Sequence, residues 1–121
     1  MLIQTKHQVE EIVVNHLRAF GAGDVDALIA DYARDALFIT PDGTLRGTAE
    51  IRAYFETLLV EFPPGSTVDI KQRTIEDDVA YLIWSGESEK LSIPFATDTL
   101  LVRNGNIQIQ TFAAQIEPKD M

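Results

Sequence analysis

The stretch Asp31-Tyr-Ala-Arg-Asp-Ala-Leu-Phe-Ile-Thr-Pro-Asp-Gly43 decides how this chain is organised. We predict that a helix ends near Tyr32 and that a polar turn, residues 33–35, leads into a strand at residues 36–40. Residues 41–43, Pro-Asp-Gly, end this strand, because proline cannot donate to a sheet and Asp-Gly accepts tight-turn dihedral angles. Helical patterns lie on both sides of this strand, and the remainder has strand patterns. This segregation predicts an α+β fold, with helices on one side of a curved sheet.

Three helices are predicted from apolar residues that recur at three- and four-residue intervals. The first runs from about residue 5 to residue 21, and the glycines of residues 21–23 end it. Asp24 then caps the second helix. The third helix begins at residues 47–48 and ends before the Pro-Pro-Gly of residues 63–65.

The rest of the chain is predicted to form a four-stranded antiparallel meander. Apolar and polar residues alternate in it, as at Ile107 and Ile109, which indicates strands with one wetter face. Residues 76–78 and the Asn-Gly pair at 104–105 are the predicted hairpin turns, and a looser connection follows residue 86. Three helices that close a strongly curved, mainly antiparallel sheet would leave a conical cavity between the layers. The strands are predicted at residues 68–74, 79–86, 91–103 and 107–116.

Composition limits the class of protein. A chain of 121 residues has the size of one domain, so we predict a single domain over residues 1–121. Its 45% apolar and 24% charged residues are ordinary globular values. The net charge of −9 speaks against nucleic acid and anionic membranes as partners.

The chain also lacks the residues that several kinds of site require. It has no cysteine and only two histidines, and no recognised metal or nucleotide motif occurs, so we expect no metal and no cofactor. Residues 1–4 are too short for the apolar part of a secretion signal, and no apolar run has the length of a membrane span. A cytoplasmic protein is the expectation.

Three polar residues occupy otherwise apolar patterns. His16 lies on the apolar stripe of the first helix, either as a hydrogen-bonded core residue or as a proton donor and acceptor in the cavity. Asp98 lies in the longest strand, where aspartate is depleted. It either faces solvent, or it is buried with a raised pKa and needs a donor or a function. Thr40 ends the first strand, a position where a structural role is the commoner one.

Several local strings resemble the NTF2-like superfamily, in particular its SnoaL-like and ketosteroid isomerase branch. The resemblance spans nearly the whole chain and implies the cystatin-like α+β barrel of that superfamily. It specifies the fold well and the activity poorly, because the superfamily includes isomerases, cyclases, dehydratases, hydrolases and non-catalytic binders. The strings that carry it are residues 22–28 (AGDVDAL), 32–36 (YARDA), 41–43 (PDG), 47–55 (GTAEIRAYF) and 98–107, which begins at Asp98 and ends at Ile107.

The resemblance also implies roles for individual positions. The oxyanion-hole tyrosine of the isomerases falls on His16, and their oxyanion-hole aspartic acid falls on Asp98. Their general-base aspartate falls on Thr40, which cannot act as a base near neutral pH. A pocket tyrosine is matched by Tyr32, and a tyrosine of the third helix is replaced by Phe55. The steroid isomerase mechanism is therefore disfavoured.

Two functions remain open. The first is a cofactor-independent isomerase, cyclase or dehydratase that acts on a small hydrophobic molecule through the catalytic pair His16 and Asp98. The second is a non-catalytic ligand-binding or dimerisation domain. A homodimer through the sheet face is implied by the resemblance and favoured by the apolar residues 81–84, which cover both faces of their strand. The candidate ligand-binding residues are Tyr32, Phe38, Thr40, Tyr54, Phe55, Trp84 and Phe112.

Overall fold

The computed structural model describes residues 6–119, and the expected helix start at Thr5 and residues 1–4 lie outside the described residues. Three helices pack on one face of a six-stranded mixed sheet of order β2-β1-β6-β5-β4-β3. The α+β class and the curved sheet are as predicted. Along the chain, the elements are α1 (Lys6–Ala22), α2 (Val25–Ala30), β1 (Tyr32–Thr40), β2 (Gly43–Arg46), α3 (Gly47–Glu61), β3 (Thr67–Glu76), β4 (Val79–Glu87), β5 (Leu91–Arg103) and β6 (Asn106–Pro118).

The helix boundaries have local causes. Gly23, with φ of +66°, takes the left-handed conformation after α1 that glycine adopts at low cost. The Asp24 carboxylate accepts a hydrogen bond from the Ala27 amide at 3.1 Å and so caps α2. At the start of α3, the Glu50 carboxylate accepts from the Arg46 amide at 2.8 Å. The predicted helix starts were therefore correct where polar caps define them.

The predicted polar turn at residues 33–35 is wrong. Helix α2 ends at Ala30, and residues 33–35 belong to β1, which begins at Tyr32. The pairing of β1 with β6 is irregular here: Tyr32 lies opposite Ile107, and Leu37 lies opposite Ile109. From Tyr32 to Leu37 the chain advances by five residues, while the paired part of β6 advances by only two. The extra residues form a bulge, which leaves the polar side chains of Arg34 and Asp35 exposed.

Strand β2 was not predicted from the sequence. Residues 41–42 form the turn after β1, as expected, but Gly43–Arg46 then pairs antiparallel with β1 before α3 begins. The strand has four residues, and only Leu45 is half-buried. An edge strand of four residues is too short to show the alternation of apolar and polar residues by which strands are predicted.

Strand β6 changes its inward face because of a bulge. Val102 of β5 pairs with Ile107, whereas the preceding Leu101 pairs with Ile109, so Gln108 is an extra residue. Ile107 is therefore buried under the helices, and Ile109 lies on the outer face, whereas the alternation in the sequence predicts that both lie on one face. After the bulge, Gln110 points inward and is 3% exposed.

Similar irregularities in the β3–β4 and β4–β5 pairings accompany the curvature of the sheet. At the far end of the meander, Asn104 and Gly105 both have positive φ, as the predicted Asn-Gly hairpin turn requires. The helices cover the inner face of the sheet, and the core lies between the two layers. Among residues 6–119, none of the helices has the length and apolar character to span a membrane.

Candidate active site

A small cavity lies between α1, α3 and the inner face of the sheet. Its free volume is about 50 Å³, which is room for a few water molecules. Sites for drug-sized ligands measure roughly 300 to 1,000 Å³, so a ligand of that size must displace side chains to enter. The lining side chains are mostly apolar: His16, Leu17, Phe20, Phe38, Tyr54, Phe55, Leu58, Val68, Leu82, Trp84, Asp98, Gln110 and Phe112.

Asp98 places a carboxyl group in this apolar lining. Its side chain comes from the middle of β5 and is only 7% exposed, so the alternative of a solvent-facing residue is wrong. The Trp84 indole N–H donates to Oδ2 at 2.7 Å, and the Gln110 amide donates to Oδ1 at 2.9 Å. Burial raises the pKa of Asp98, although these two hydrogen bonds and the proximity of His16 act in the opposite direction.

His16 lines the same cavity but turns both ring nitrogens toward protein groups. The residue is 6% exposed. Its Nε2 lies 3.4 Å from the Tyr32 hydroxyl, and its Nδ1 lies 3.5 Å from Oδ2 of Asp31. Within residues 6–119, neither Nδ1 nor that carboxylate oxygen has a hydrogen-bond partner. His16 therefore offers the cavity its ring carbons, whereas its nitrogens face Asp31 and Tyr32.

His16 and Asp98 are connected through two further side chains. The Tyr32 hydroxyl donates to Oε1 of Gln110 at 2.5 Å, and the Gln110 amide donates in turn to Asp98. Burial, and then the charges of Asp98 and Asp31, raise the pKa of Tyr32 well above its ordinary value, so this residue stays a neutral phenol. We call this set the buried polar chain: Asp31, His16, Tyr32, Gln110, Asp98 and Trp84.

Tyr54 adds a second neutral hydroxyl to the lining. It comes from α3, and its ring lies 5.2 Å from that of Phe38. Burial raises the pKa of Tyr54 to about 12, with the charges of Asp98 and Asp42 adding to the effect. Near neutral pH, Tyr54 is thus a hydrogen-bond donor on an apolar wall.

Most of the predicted site residues come together. Phe38, Tyr54, Phe55, Trp84 and Phe112 line the cavity with His16 and Asp98, and Tyr32 contacts the lining from behind. Thr40 does not belong to the lining. Its hydroxyl donates to the Gly43 carbonyl and accepts from the Asp42 amide, both at 3.1 Å, so it stabilises the β1–β2 turn.

Gln110 and Asp31 belong to the site but carry no signal in the sequence that identifies them. Alternation around Ile107 and Ile109 places Gln110 on the wetter, outer face of the strand, because the bulge at Gln108 that turns it inward cannot be seen from residue types. Asp31 follows α2 and is an ordinary residue for a helix end. Only the packing of α1 against α2 shows that Asp31 lies beside His16.

The site is suited to acid–base chemistry. Within residues 6–119, no three histidine, aspartate or glutamate side chains come together to hold a metal ion. The groups that the site does offer are a buried carboxyl group and neutral hydroxyl and amide donors, which can bind and move protons.

Comparison with known proteins identifies the family. The SnoaL-like domain family matches residues 13–108, and this chain belongs to that family. The resemblance inferred from the sequence is therefore confirmed. None of the curated proteins matches the sequence as a recognisable relative.

Solved structures with low sequence identity share the fold. A SnoaL-like protein of unknown function from Burkholderia thailandensis is 16% identical, with a TM-score of 0.76 over 94% of this chain and 99% of that one. An NTF2-like protein of unknown function from Cytophaga hutchinsonii is 14% identical, with a TM-score of 0.74 over 95% and 93% of the two chains. A protein with a cystatin-like fold from Methylobium petroleophilum is 15% identical, with a TM-score of 0.74 over 99% and 90%. These likenesses confirm the cystatin-like fold.

Proposed function

We propose that this protein binds a small hydrophobic molecule in the cavity and isomerises, cyclises or dehydrates it without a cofactor, with Asp98 as the acid–base group. The observation that carries this proposal is the buried carboxyl group of Asp98 within an apolar lining. Burial raises the pKa of Asp98, and a raised pKa is the direction that suits a carboxyl group to proton exchange near neutral pH.

One acid–base group is sufficient for such a reaction. The Asp98 carboxylate would remove a proton from a carbon next to a carbonyl group, and the electron pair would move onto the carbonyl oxygen as an enolate. A donor such as the neutral Tyr54 hydroxyl can stabilise that oxygen. The protonated Asp98 would then return its proton, either to another carbon in an isomerisation or to a leaving hydroxyl in a dehydration. The carboxylate is regenerated in both cases.

The position of Thr40 argues against the steroid isomerase route. In the isomerases that this chain resembles, an aspartate at the position of Thr40 removes the proton. Here Thr40 stabilises the β1–β2 turn and lies outside the cavity lining. We therefore assign proton abstraction to Asp98. The ring nitrogens of His16 do not face the cavity, so His16 would not contact the ligand with them. It would act on Asp98 only through the buried polar chain.

Ligand entry would require movement at the cavity mouth, because the free volume is about 50 Å³. The lining side chains that are only half-buried are the ones with room to move. They come from α1, α3, β3 and β6: Leu17, Phe20, Tyr54, Leu58, Val68 and Phe112.

The same small volume favours the second candidate, a non-catalytic ligand-binding or dimerisation domain. In that case the hydrogen bonds of the buried polar chain would only compensate for the burial of its polar groups. Trp84 and Gln110 would then stabilise Asp98 within the fold and would have no part in a reaction. The two functions differ in one outcome, which is turnover.

The test is a panel of hydrophobic ketones and lactones. Binding is followed by NMR, as perturbation of the His16 and Trp84 signals, and turnover is followed by chromatography. If Asp98 is the acid–base group, Asp98→Asn lowers the rate about 10²- to 10⁴-fold, and His16→Phe also abolishes turnover. The matched control is Asp69→Asn, since Asp69 is exposed on β3.

Each result decides between the two functions. Turnover that is lost in Asp98→Asn and kept in Asp69→Asn supports catalysis. Turnover that is unchanged in Asp98→Asn and His16→Phe overturns the catalytic assignment. Binding without turnover of any compound supports the non-catalytic domain.

We also propose that the protein forms a homodimer through the outer face of the sheet. Half-buried apolar side chains form one row across four neighbouring strands there, in which Val79 pairs with Leu101, Leu101 with Ile109 and Ile109 with Leu37. In the next row, Tyr81 and Ile39 lie on either side of Thr99 and Thr111. A sheet face open to water is normally more polar. The outer apolar face consists of Leu37, Ile39, Val79, Tyr81, Ile83, Leu101 and Ile109.

A further inference from the structure

The directions of the hydrogen bonds in the buried polar chain restrict where its protons lie. The indole N–H of Trp84 can only donate, so Oδ2 of Asp98 is an acceptor. The Gln110 amide nitrogen also only donates, so Oδ1 of Asp98 is an acceptor too. Neither bond uses a proton of Asp98, so this arrangement suits the carboxylate form. The other end of the amide, Oε1, accepts the single proton of Tyr32.

This arrangement makes His16 a donor. Since Tyr32 gives its proton to Gln110, its oxygen can only accept from Nε2 of His16, 3.4 Å away. If Nδ1 carried no proton, its lone pair would face the Asp31 carboxylate oxygen at 3.5 Å, with both atoms buried and unpartnered. A proton on Nδ1 would remove that repulsion, so in this arrangement we assign protons to both nitrogens of His16.

A proton on Asp98 would reverse the bonds that link Asp98, Gln110, Tyr32 and His16, whereas Trp84 would still donate to Oδ2. Its new hydroxyl must donate to an acceptor, and the Trp84 N–H cannot accept. In the arrangement that keeps the chain connected, the Gln110 amide turns, so that Oε1 faces Asp98 and the amide nitrogen faces Tyr32. Tyr32 then accepts from Gln110 and donates its own proton to Nε2 of His16, which must be bare. The two arrangements contain the same number of protons: His16 has one fewer, and Asp98 has one more.

We propose that Gln110 is a positioning residue that couples the protonation of Asp98 to that of His16. In one arrangement Asp98 is a carboxylate and His16 is the donor at Nε2, and in the other Asp98 is an acid and His16 is the acceptor. Gln110 supports both because its amide offers an acceptor at one end and a donor at the other. The consequence for catalysis rests on the proposed function of Asp98, but the coupling itself is a property of the resting protein.

The test reads the protonation of His16 directly, by ¹⁵N NMR of its ring nitrogens without any ligand. The chain has two histidines, so a His7→Gln background leaves only His16 signals, and His7 is exposed on α1. In the parent protein, Nε2 should carry a proton. In Asp98→Asn, the new amide must accept from Trp84 and therefore donate to Gln110. This mimics the acid form of Asp98, and Nε2 should lose its proton.

The coupling is then tested by breaking its links. In Gln110→Met, which has no amide, Asp98→Asn should no longer change the protonation of Nε2. Tyr32→Phe breaks the next link and should uncouple the two ends in the same way, so the test survives if either variant fails to fold. Measurement of amide spectra first establishes that each variant is folded.

The proposal is overturned if Asp98→Asn leaves the Nε2 proton in place. It is also overturned if Asp98→Asn still removes that proton when Gln110 or Tyr32 has been replaced. Neither outcome depends on turnover. Failure of the coupling can therefore be distinguished from failure of the proposed function, which is measured with the ketone and lactone panel.

Discussion

Asp98 is the residue on which the proposed chemistry depends, and its burial has a cost in stability. A carboxyl group whose pKa is raised by folding favours the folded state in its protonated form. The favourable contribution is complete below the ordinary aspartate pKa, about 3.9, and is lost as the pH rises through the raised pKa of the folded protein. Near neutral pH, Asp98 should thus destabilise the fold relative to a neutral side chain of similar shape.

We therefore predict that Asp98→Asn is more stable than the parent protein at pH 7. The asparagine side chain can accept from Trp84 and donate to a turned Gln110 amide, so no hydrogen bond is lost. The difference should shrink as the pH falls toward the ordinary aspartate range. Urea unfolding at several pH values measures it, with the exposed Asp69→Asn as the control. Parallel stability curves for the parent and Asp98→Asn would contradict the prediction.

Trp84 has a role beyond that of an apolar wall, because its indole N–H stabilises the ionised form of Asp98. We predict that Trp84→Phe raises the pKa of Asp98 further and destabilises the protein at pH 7 by about 1–3 kcal/mol, the cost of an unsatisfied buried acceptor. The Asp98 carboxyl signal in ¹³C NMR gives the pKa. Phe112→Leu is the control, since the Phe112 ring stacks on Trp84 but has no polar atom to donate to the Asp98 carboxyl group. An equal pKa shift in both variants would count against the hydrogen bond as the cause.

At the scale of the elements, sequence patterns predicted those parts of the fold that repeat or carry a cap. Helix α1 has a long apolar stripe, and Asp24 and Gly105 mark a cap and a turn. The patterns failed where one extra residue changes the face of a strand, as at Gln108, and where an edge strand is as short as β2. Such features follow from pairing between distant strands, which no local pattern contains.

In the candidate site, too, the residues marked by a local sequence pattern were predicted, and those placed by contacts between distant segments were not. The five predicted wall aromatics were found in the lining, since each lies in a helix or strand whose inward face its neighbours define. Asp98 was recognised because aspartate is unusual within a strand. Gln110 and Asp31 were not recognised. A glutamine in a strand and an aspartate at a helix end are both common, so their role becomes visible only when their neighbours in the structure are known.

The junction of α3 with β4 allows a prediction for a glycine. At Gly86, an added Cβ would lie 2.9 Å from the Phe62 ring and 3.0 Å from both the Thr67 carbonyl oxygen and the Trp84 ring. Gly86→Ala should therefore destabilise the protein by about 1–3 kcal/mol, the usual cost of overpacking. Gly21→Ala is the matched control: this helical position is open, so alanine should stabilise by up to about 1 kcal/mol. Urea unfolding measures both, and a stable Gly86→Ala would show that Phe62 gives way freely.

At the scale of the whole molecule, charge opposes the proposed pairing of two copies. Each copy carries a net charge of −9, and apolar contacts on the outer apolar face must overcome the repulsion. Salt screens the repulsion over about 10 Å at 0.1 M, so we predict that the dimer becomes tighter as salt is added. Light scattering after gel filtration, at several protein and salt concentrations, measures the mass.

One substitution pair tests which face is involved. Ile83→Lys puts a charge on the outer apolar face and should give a monomer, whereas Val60→Lys alters an exposed residue of α3 and should leave the dimer intact. A parent protein that is monomeric at every concentration and salt level would remove the pairing altogether.

The parallel pairing of β1 with β6 joins the first strand of the sheet to the last, with Tyr32 opposite Ile107. Such distant contacts slow folding, because much chain entropy is lost before they form. As the polypeptide leaves the ribosome, the β1–β2 hairpin emerges long before its partner, with an unpaired edge that other chains could join. We therefore expect nascent chains in which β6 has not yet been synthesised to bind chaperones and to aggregate more readily than the complete chain.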